Sequence, residues 1–100
     1  MSEETCLPIE ALRADPARYH VIDVRDPEEH AAGHVNGAVN VPLARLLADG
    51  AEIPAGRIPV TVCGKGGGRS AEAAEALRIA GHANTVWLCG GTNAWMATYA

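Results

Sequence analysis

"IPVTVCGKGGGRSAEAAEALRIAG", residues 58 to 81, changes its periodicity part-way along. A β-branched run, Ile58 to Val62, stops at Cys63, and four of the next five residues are glycine. Arg69 and Ser70 follow, then an alanine-rich stretch with Ala71, Ala74, Leu77 and Ala80 near one face and a closing Gly81. β-branched residues favour a strand, and Ala, Glu, Leu and Arg favour a helix. The stretch is therefore expected to form a strand over 58–63, a glycine loop, and a helix over 68–81.

The same alternation continues on both sides. "YHVIDV" (19–24) is expected to be a strand, and "DPEEHAA" (26–32) a helix with Asp26 as its cap and Pro27 at its first position. A short strand fits 37–42, and a helix fits 42–50, begun by Pro42 and ended by Gly50. A fourth strand is expected over 84–91 and a last helix over 92–100, capped by Thr92 or Asn93. Residues 5–12 fit one further short strand before a helical turn. Strands alternating with helices imply parallel pairing buried on both faces. The expected fold is an α/β layer: a mostly parallel central sheet of about five short strands with helices on both faces. No internal repeat or linker interrupts it, so residues 1–100 are expected to be one domain.

Composition narrows the function classes. The formal charge is −4 and the pI about 5.4, which disfavours a nucleic-acid or anionic-membrane partner. No apolar run approaches the roughly 20 residues that cross a bilayer. The acidic start, residues 1–10, has no apolar core of a signal peptide, so a cytoplasmic protein is expected. Three cysteines, an odd number, do not suggest a disulfide framework.

Cys63 carries the strongest chemical signal. In parallel α/β folds, ligands bind at the carboxyl ends of the strands. Cys63 stands at one such end, and the helix after it points its amino terminus the same way. Gly64, Gly66, Gly67 and Gly68 allow the backbone to turn and to bring several N–H groups to one side. Such a cradle stabilises an anion, and a thiol placed in it is favoured as the reactive thiolate. Lys65 and Arg69 add positive charge, and Arg69 can grip an oxyanion with two parallel hydrogen bonds. Ser70 can cap the helix or donate to the sulfur. A buried apolar cysteine would need no such cationic surroundings. Nucleotide templates fail: Lys65 is followed by Gly66 rather than Ser or Thr, and Arg69 stands where a dinucleotide loop needs glycine.

Three motifs in order resemble the rhodanese-like family. "VIDVRDPEEHAAGHVNGAVNVPL" (21–43) is similar to its Asp-Val-Arg, acidic-helix and Gly-His-x-x-Gly-Ala-x-Asn signature. The Cys63 loop with "RSAEAAEAL" resembles its active site, and "LCGGTNAW" (88–95) its closing Gly-Gly-x-x-x-Trp. The likeness runs from about residue 5 to about residue 97. It implies a thiosulfate sulfurtransferase; no cofactor or metal is expected. Cys63 would take the outer sulfur of thiosulfate as a persulfide and hand it to cyanide or to a thiol, on a small molecule or a protein. The backbone of 64–69 would hold the terminal sulfur, and Lys65 and Arg69 the thiosulfate or departing sulfite.

The loop departs from the family pattern in one respect. Single-domain sulfurtransferases place four residues between the cysteine and the arginine, whereas Cys63 and Arg69 enclose five. Five resembles the Cdc25-type phosphatases and some arsenate reductases, whose wider loop holds a tetrahedral oxyanion. No carboxylate lies between Cys63 and Arg69, and no general acid is evident for phosphoryl transfer. Oxyanion chemistry and a non-catalytic sulfur-relay module stay open beside sulfur transfer.

The remaining polar residues read as supports. Asp23 and Arg25 are expected to form a buried or half-buried ion pair that organises loops, with Glu28 or Glu29 as a further partner for Arg25. His30 and His34 are four apart, but Gly33 interrupts their helix and no third metal ligand is evident. His34 is expected to fix the next turn. Trp87 and Trp95 read as core or as a wall near the loop, and Gly90 and Gly91 as permitting close backbone approach. Cys89 reads as a buried apolar residue, with a resolving thiol for Cys63 as the alternative. Cys6 is assigned no role.

Overall fold

The computed structural model describes residues 6 to 99; residues 1–5 and 100 lie outside the described residues. With them go half of the acidic start and the last residue of the helix expected over 92–100. Five strands, β1 (Cys6–Leu7), β2 (Tyr19–Asp23), β3 (Val39–Asn40), β4 (Ile58–Val62) and β5 (Val86–Leu88), form one parallel sheet in the order β1-β5-β4-β2-β3. The α-helices are α1 (Ile9–Ala14), α2 (Pro27–Ala32), α3 (Leu43–Asp49), α4 (Gly68–Ile79) and α5 (Gly91–Tyr99). The α/β architecture is the expected one, and every pairing is parallel.

β4 lies at the centre, paired with β2 from Tyr19↔Ile58 to Asp23↔Val62 and with β5 at Val60 and Thr61. Pro59, which has no amide hydrogen, sits next to its start, before pairing with β5 begins. Successive side chains of a strand face opposite ways, and both faces are covered. Val21, Val60 and Val62 pack with Leu12 of α1 and Trp95 of α5. Ile22 and Cys63 pack with Leu46 of α3 and with Ala73 and Leu77 of α4.

Parallel pairing brings the carboxyl ends of all strands to one edge. Asp23, Asn40, Val62 and Leu88 end their strands there, which puts Cys63 and Cys89 just beyond the sheet. Elements are shorter than the sequence suggests: the strand expected over 84–91 is Val86–Leu88, and that over 37–42 is Val39–Asn40. The buried face of α4 is also rotated from the expected one. Ser70, Ala73, Ala74 and Leu77 are buried, whereas Ala71 is half-buried and Ala80 exposed. A helix of alanines carries little periodic contrast, so its buried stripe is set by the sheet it packs on.

The cysteine reading needs correction. Cys6 and Cys89 form a disulfide, with their Cα atoms 5.0 Å apart. The pairing of β1 with β5, Cys6 opposite Trp87 and Leu7 opposite Leu88, brings them together, and the Cys89 amide donates to Leu7 O at 2.9 Å. Cys89 is therefore neither an isolated apolar residue nor a resolving thiol in this state, and Cys6 has a structural role.

Candidate active site at the Cys63 loop

Cys63 is the only free cysteine among the described residues, and it is 4% exposed. Its Sγ lies 3.2 Å from both Gly67 O and Ser70 Oγ, so the loop folds back over the sulfur. Ser70 stands inside the first turn of α4, buried, and its hydroxyl donates to Gly67 O at 2.8 Å while accepting from the thiol. When the thiol ionises it no longer donates, and the Ser70 hydroxyl can rotate to donate to the sulfur instead.

The loop takes this path because of its glycines. Gly66, Gly67 and Gly68 have φ of 88°, 68° and 42°, a left-handed run that L side chains rarely adopt. From the other side, the first turn of α5 grips the loop. The Thr92 amide donates to Cys63 O and the Asn93 amide to Gly64 O, both at 2.9 Å. Across a trans peptide the C=O and N–H groups point opposite ways, so the Gly64 and Lys65 amides face away from α5. Among the described residues, the amides of Gly64, Lys65, Gly66 and Gly67 donate no hydrogen bond. The loop group that touches the sulfur is the Gly67 carbonyl, at 3.2 Å, and the Gly66 amide lies against Gly91.

Gly91 permits the contact with α5. A Cβ built on it would lie 2.6 Å from Cys63 O, 2.7 Å from Gly64 O and 2.7 Å from Gly66 N. At Gly66 a Cβ would meet Gly90 N at 2.9 Å and the Trp87 ring at 3.3 Å, so Trp87 walls the loop while Trp95 belongs to the core. Thr92 and Asn93 lie within α5 rather than capping it. The Thr92 hydroxyl is buried and makes no hydrogen bond among the described residues.

Asp23 and Arg25 form the expected pair, and it is buried. Arg25 Nε donates to Asp23 Oδ1 at 2.9 Å and Nη2 to Oδ2 at 2.8 Å, a bidentate grip, while Nη2 also reaches Gly33 O at 2.7 Å. The Arg25 amide donates to Oδ1 at 3.0 Å, and His30 Nδ1 adds a fourth donor, to Oδ2 at 2.9 Å. Burial pushes the Asp23 carboxyl up, but the bonds from Arg25 and His30 outweigh it and hold the group below the usual carboxylate range. Asn40 Nδ2 donates to Asp23 O and Arg25 O, tying down the turn after β2. The pair orders the loops at this edge, and no bond between it and the Cys63 sulfur is present among the described residues.

Glu29 goes elsewhere than expected. It bonds Arg69 rather than Arg25, with Nη1 to Oε1 at 3.1 Å and Nη2 to Oε2 at 3.5 Å. Glu29 Oε1 also accepts the Asp26 amide at 3.0 Å, the acidic half of a capping box on α2. The Arg69 bond is the largest influence lowering the Glu29 carboxyl, and Glu29 in turn raises the Arg69 guanidinium. Lys65 is exposed, with no ion pair among the described residues. His34 donates from Nδ1 back to His30 O and stacks on that ring at 3.8 Å, which holds the preceding turn rather than the following one.

Three motifs, one parallel sheet and a cysteine under a glycine loop invite comparison with known proteins. The family model of the rhodanese-like domain matches residues 9–98. The chain belongs to the rhodanese-like domain family. Among its relatives is the thiosulfate sulfurtransferase GlpE of Pseudomonas entomophila, 37% identical over 92 residues, which are 89% of this chain and 79% of that protein. The probable adenylyltransferase/sulfurtransferase MoeZ of Mycobacterium tuberculosis is 44% identical over 78 residues, 75% of this chain. The chain spans only 19% of the length of MoeZ. A rhodanese-related protein from Thermoplasma volcanium has a solved structure that superposes with a TM-score of 0.83 at 28% identity, covering 94% of this chain and 92% of that one. Rhodanese-like relatives that are sulfurtransferases thus share most of this chain.

Proposed function

We propose that this rhodanese-like protein is a sulfurtransferase that moves sulfane sulfur from thiosulfate or a similar donor to cyanide or a thiol through a Cys63 persulfide. The observation that carries the reading is that the amides of Gly64, Lys65, Gly66 and Gly67 donate no hydrogen bond in a loop that folds over the Cys63 sulfur. A persulfide ends in a sulfur anion, and preorganised N–H groups are what such a terminus needs. In the first step the Cys63 thiolate attacks the outer sulfur of thiosulfate. The S–S bond to the sulfonate breaks, sulfite leaves with its electron pair, and Cys63 holds a persulfide anion. In the second step cyanide or a thiolate attacks that terminal sulfur and the Cys63 thiolate leaves. Ser70 donates to the sulfur in its charged forms, and Lys65 and Arg69 hold the sulfonate. Asp23 and Arg25 support the loops from behind, and no metal or cofactor enters either step.

The reading places the protein in the cytoplasm; no helix among the described residues is long and apolar enough to cross a membrane. A reducing cytoplasm implies that Cys6 and Cys89 also exist there as thiols.

A second reading rests on the five residues between Cys63 and Arg69. That spacing is one residue longer than in single-domain sulfurtransferases, and a longer loop suits a tetrahedral phosphate or arsenate. The test runs thiocyanate formation from thiosulfate and cyanide beside arsenate reduction and phosphate-ester hydrolysis. Cys63-dependent thiocyanate with silence in the other two is the expected result. Cys63-dependent arsenate reduction or ester hydrolysis without thiocyanate would transfer the assignment to the wider-loop chemistry. Silence in all three would leave a relay or binding module.

A further inference from the structure

Arg69 already has a carboxylate on it. Its guanidinium stands over the start of the Cys63 loop, where a Cβ on Gly64 would lie 3.9 Å from Nη2. An oxyanion substrate gripped there needs the N–H groups that Glu29 holds from Nη1 at 3.1 Å and Nη2 at 3.5 Å. The side chains of Arg69 and Glu29 are 40% and 42% exposed. An ion pair that open to water is weak, too weak to lock the site but enough to bias which ligand enters it. Glu29 cannot swing freely away, because Oε1 also accepts the Asp26 amide at 3.0 Å. An anion that displaces it from Arg69 still has the carboxylate charge beside it.

We propose that Glu29 is an anion filter for this site: by occupying Arg69 it disfavours dianionic sulfur donors such as thiosulfate relative to donors of low charge, such as a hydropersulfide on a carbon skeleton. With a hydropersulfide, the Cys63 thiolate attacks the outer sulfur, a neutral cysteine persulfide forms, and the donor leaves as a thiolate. The donor enters neutral and leaves with the one negative charge that Cys63 carried, and no dianion approaches Glu29. This donor preference rests on the sulfur-transfer reading above; the filter acts on any anion that approaches Cys63.

The capping box supplies a clean variant. Glu29→Gln removes the charge but keeps a side-chain oxygen for the Asp26 amide, and Gln is an ordinary occupant of that position. Glu28→Gln removes the same unit of charge one residue away, from a side chain with no bond to Arg69 among the described residues. Alkylation of Cys63 by anionic iodoacetate and by neutral iodoacetamide is followed at low ionic strength in the disulfide-intact protein, with the modified peptide quantified by mass. In Glu29→Gln the iodoacetate-to-iodoacetamide rate ratio should rise roughly three- to fivefold over wild type, and in Glu28→Gln it should barely move. The thiosulfate KM should fall by a similar factor. An unchanged ratio, or an equal rise in Glu28→Gln, overturns the filter. A raised ratio in a protein that transfers no sulfur would uphold the filter while refuting the function proposed above.

Discussion

Gly91 is where a single hydrogen atom decides whether the Cys63 loop closes. Its φ of 62° and the three backbone atoms within 2.7 Å of a would-be Cβ leave nothing flexible to give way. Gly91→Ala should therefore cost about 2–4 kcal/mol in a urea titration. Gly50→Ala, at φ 74° with open space around it, should cost only the backbone strain of about 1–2 kcal/mol. The sequence shows Gly90-Gly91 as a place for close approach, but not what approaches. Asp23 supports a second expectation at this scale. Its carboxyl is depressed in the folded chain, so the stability it contributes is complete above the unfolded value of about 4. That contribution is lost as the pH falls through the lower folded value. Asp23→Asn should destabilise the protein by about 3 kcal/mol at neutral pH, because Arg25 stays buried without its partner. The same variant should flatten the acid limb of stability against pH, and an unchanged limb would remove Asp23 from that role.

Elements were legible to the extent that their residues carry local signals. Asp26-Pro27 starts α2 and Gly50 ends α3 as their side chains and dihedrals dictate, and β2 and β4 announce themselves by β-branched runs. The short strands end sooner than their residues suggest, because their ends depend on which neighbour is still present to pair. The buried stripe of α4 lies a fraction of a turn from the one its alanines suggest, because alanines carry little contrast. Leu77, shared by the expected and the observed face, is fully buried. Leu77→Ala should cost about 2–5 kcal/mol of unfolding free energy, whereas Ala80→Ser, at an exposed position, should fall within about 0.5 kcal/mol of wild type. Glu29 is the instructive miss at the site. The sequence places it in the first turn of α2, where the capping box would be sought, but its partner Arg69 is 40 residues away. Contacts across that separation are set by the order of strands in the sheet.

At the scale of the whole molecule, the Cys6–Cys89 bond joins residues 83 apart, nearly the full length of the chain. An odd cysteine count concealed it, since only the pairing of β1 beside β5 shows which two belong together. Cross-linking so long a loop restricts the unfolded chain, and its loss should lower stability by about 2–4 kcal/mol. Wild type measured with and without a dithiol, beside Cys6→Ser, should show this; equal stability in all three would mean that the bond adds nothing to β1 and β5 packing. The parallel sheet gathers Asp23, Cys63 and the Gly90-Gly91 turn at one edge, and the whole account of function depends on what Cys63 does there. The most direct measurement is the intact mass of the protein after incubation with thiosulfate, beside Cys63→Ser. Wild type alone should gain one sulfur atom, removed by cyanide with formation of thiocyanate. An unchanged wild-type mass, or the same gain on Cys63→Ser, would contradict it.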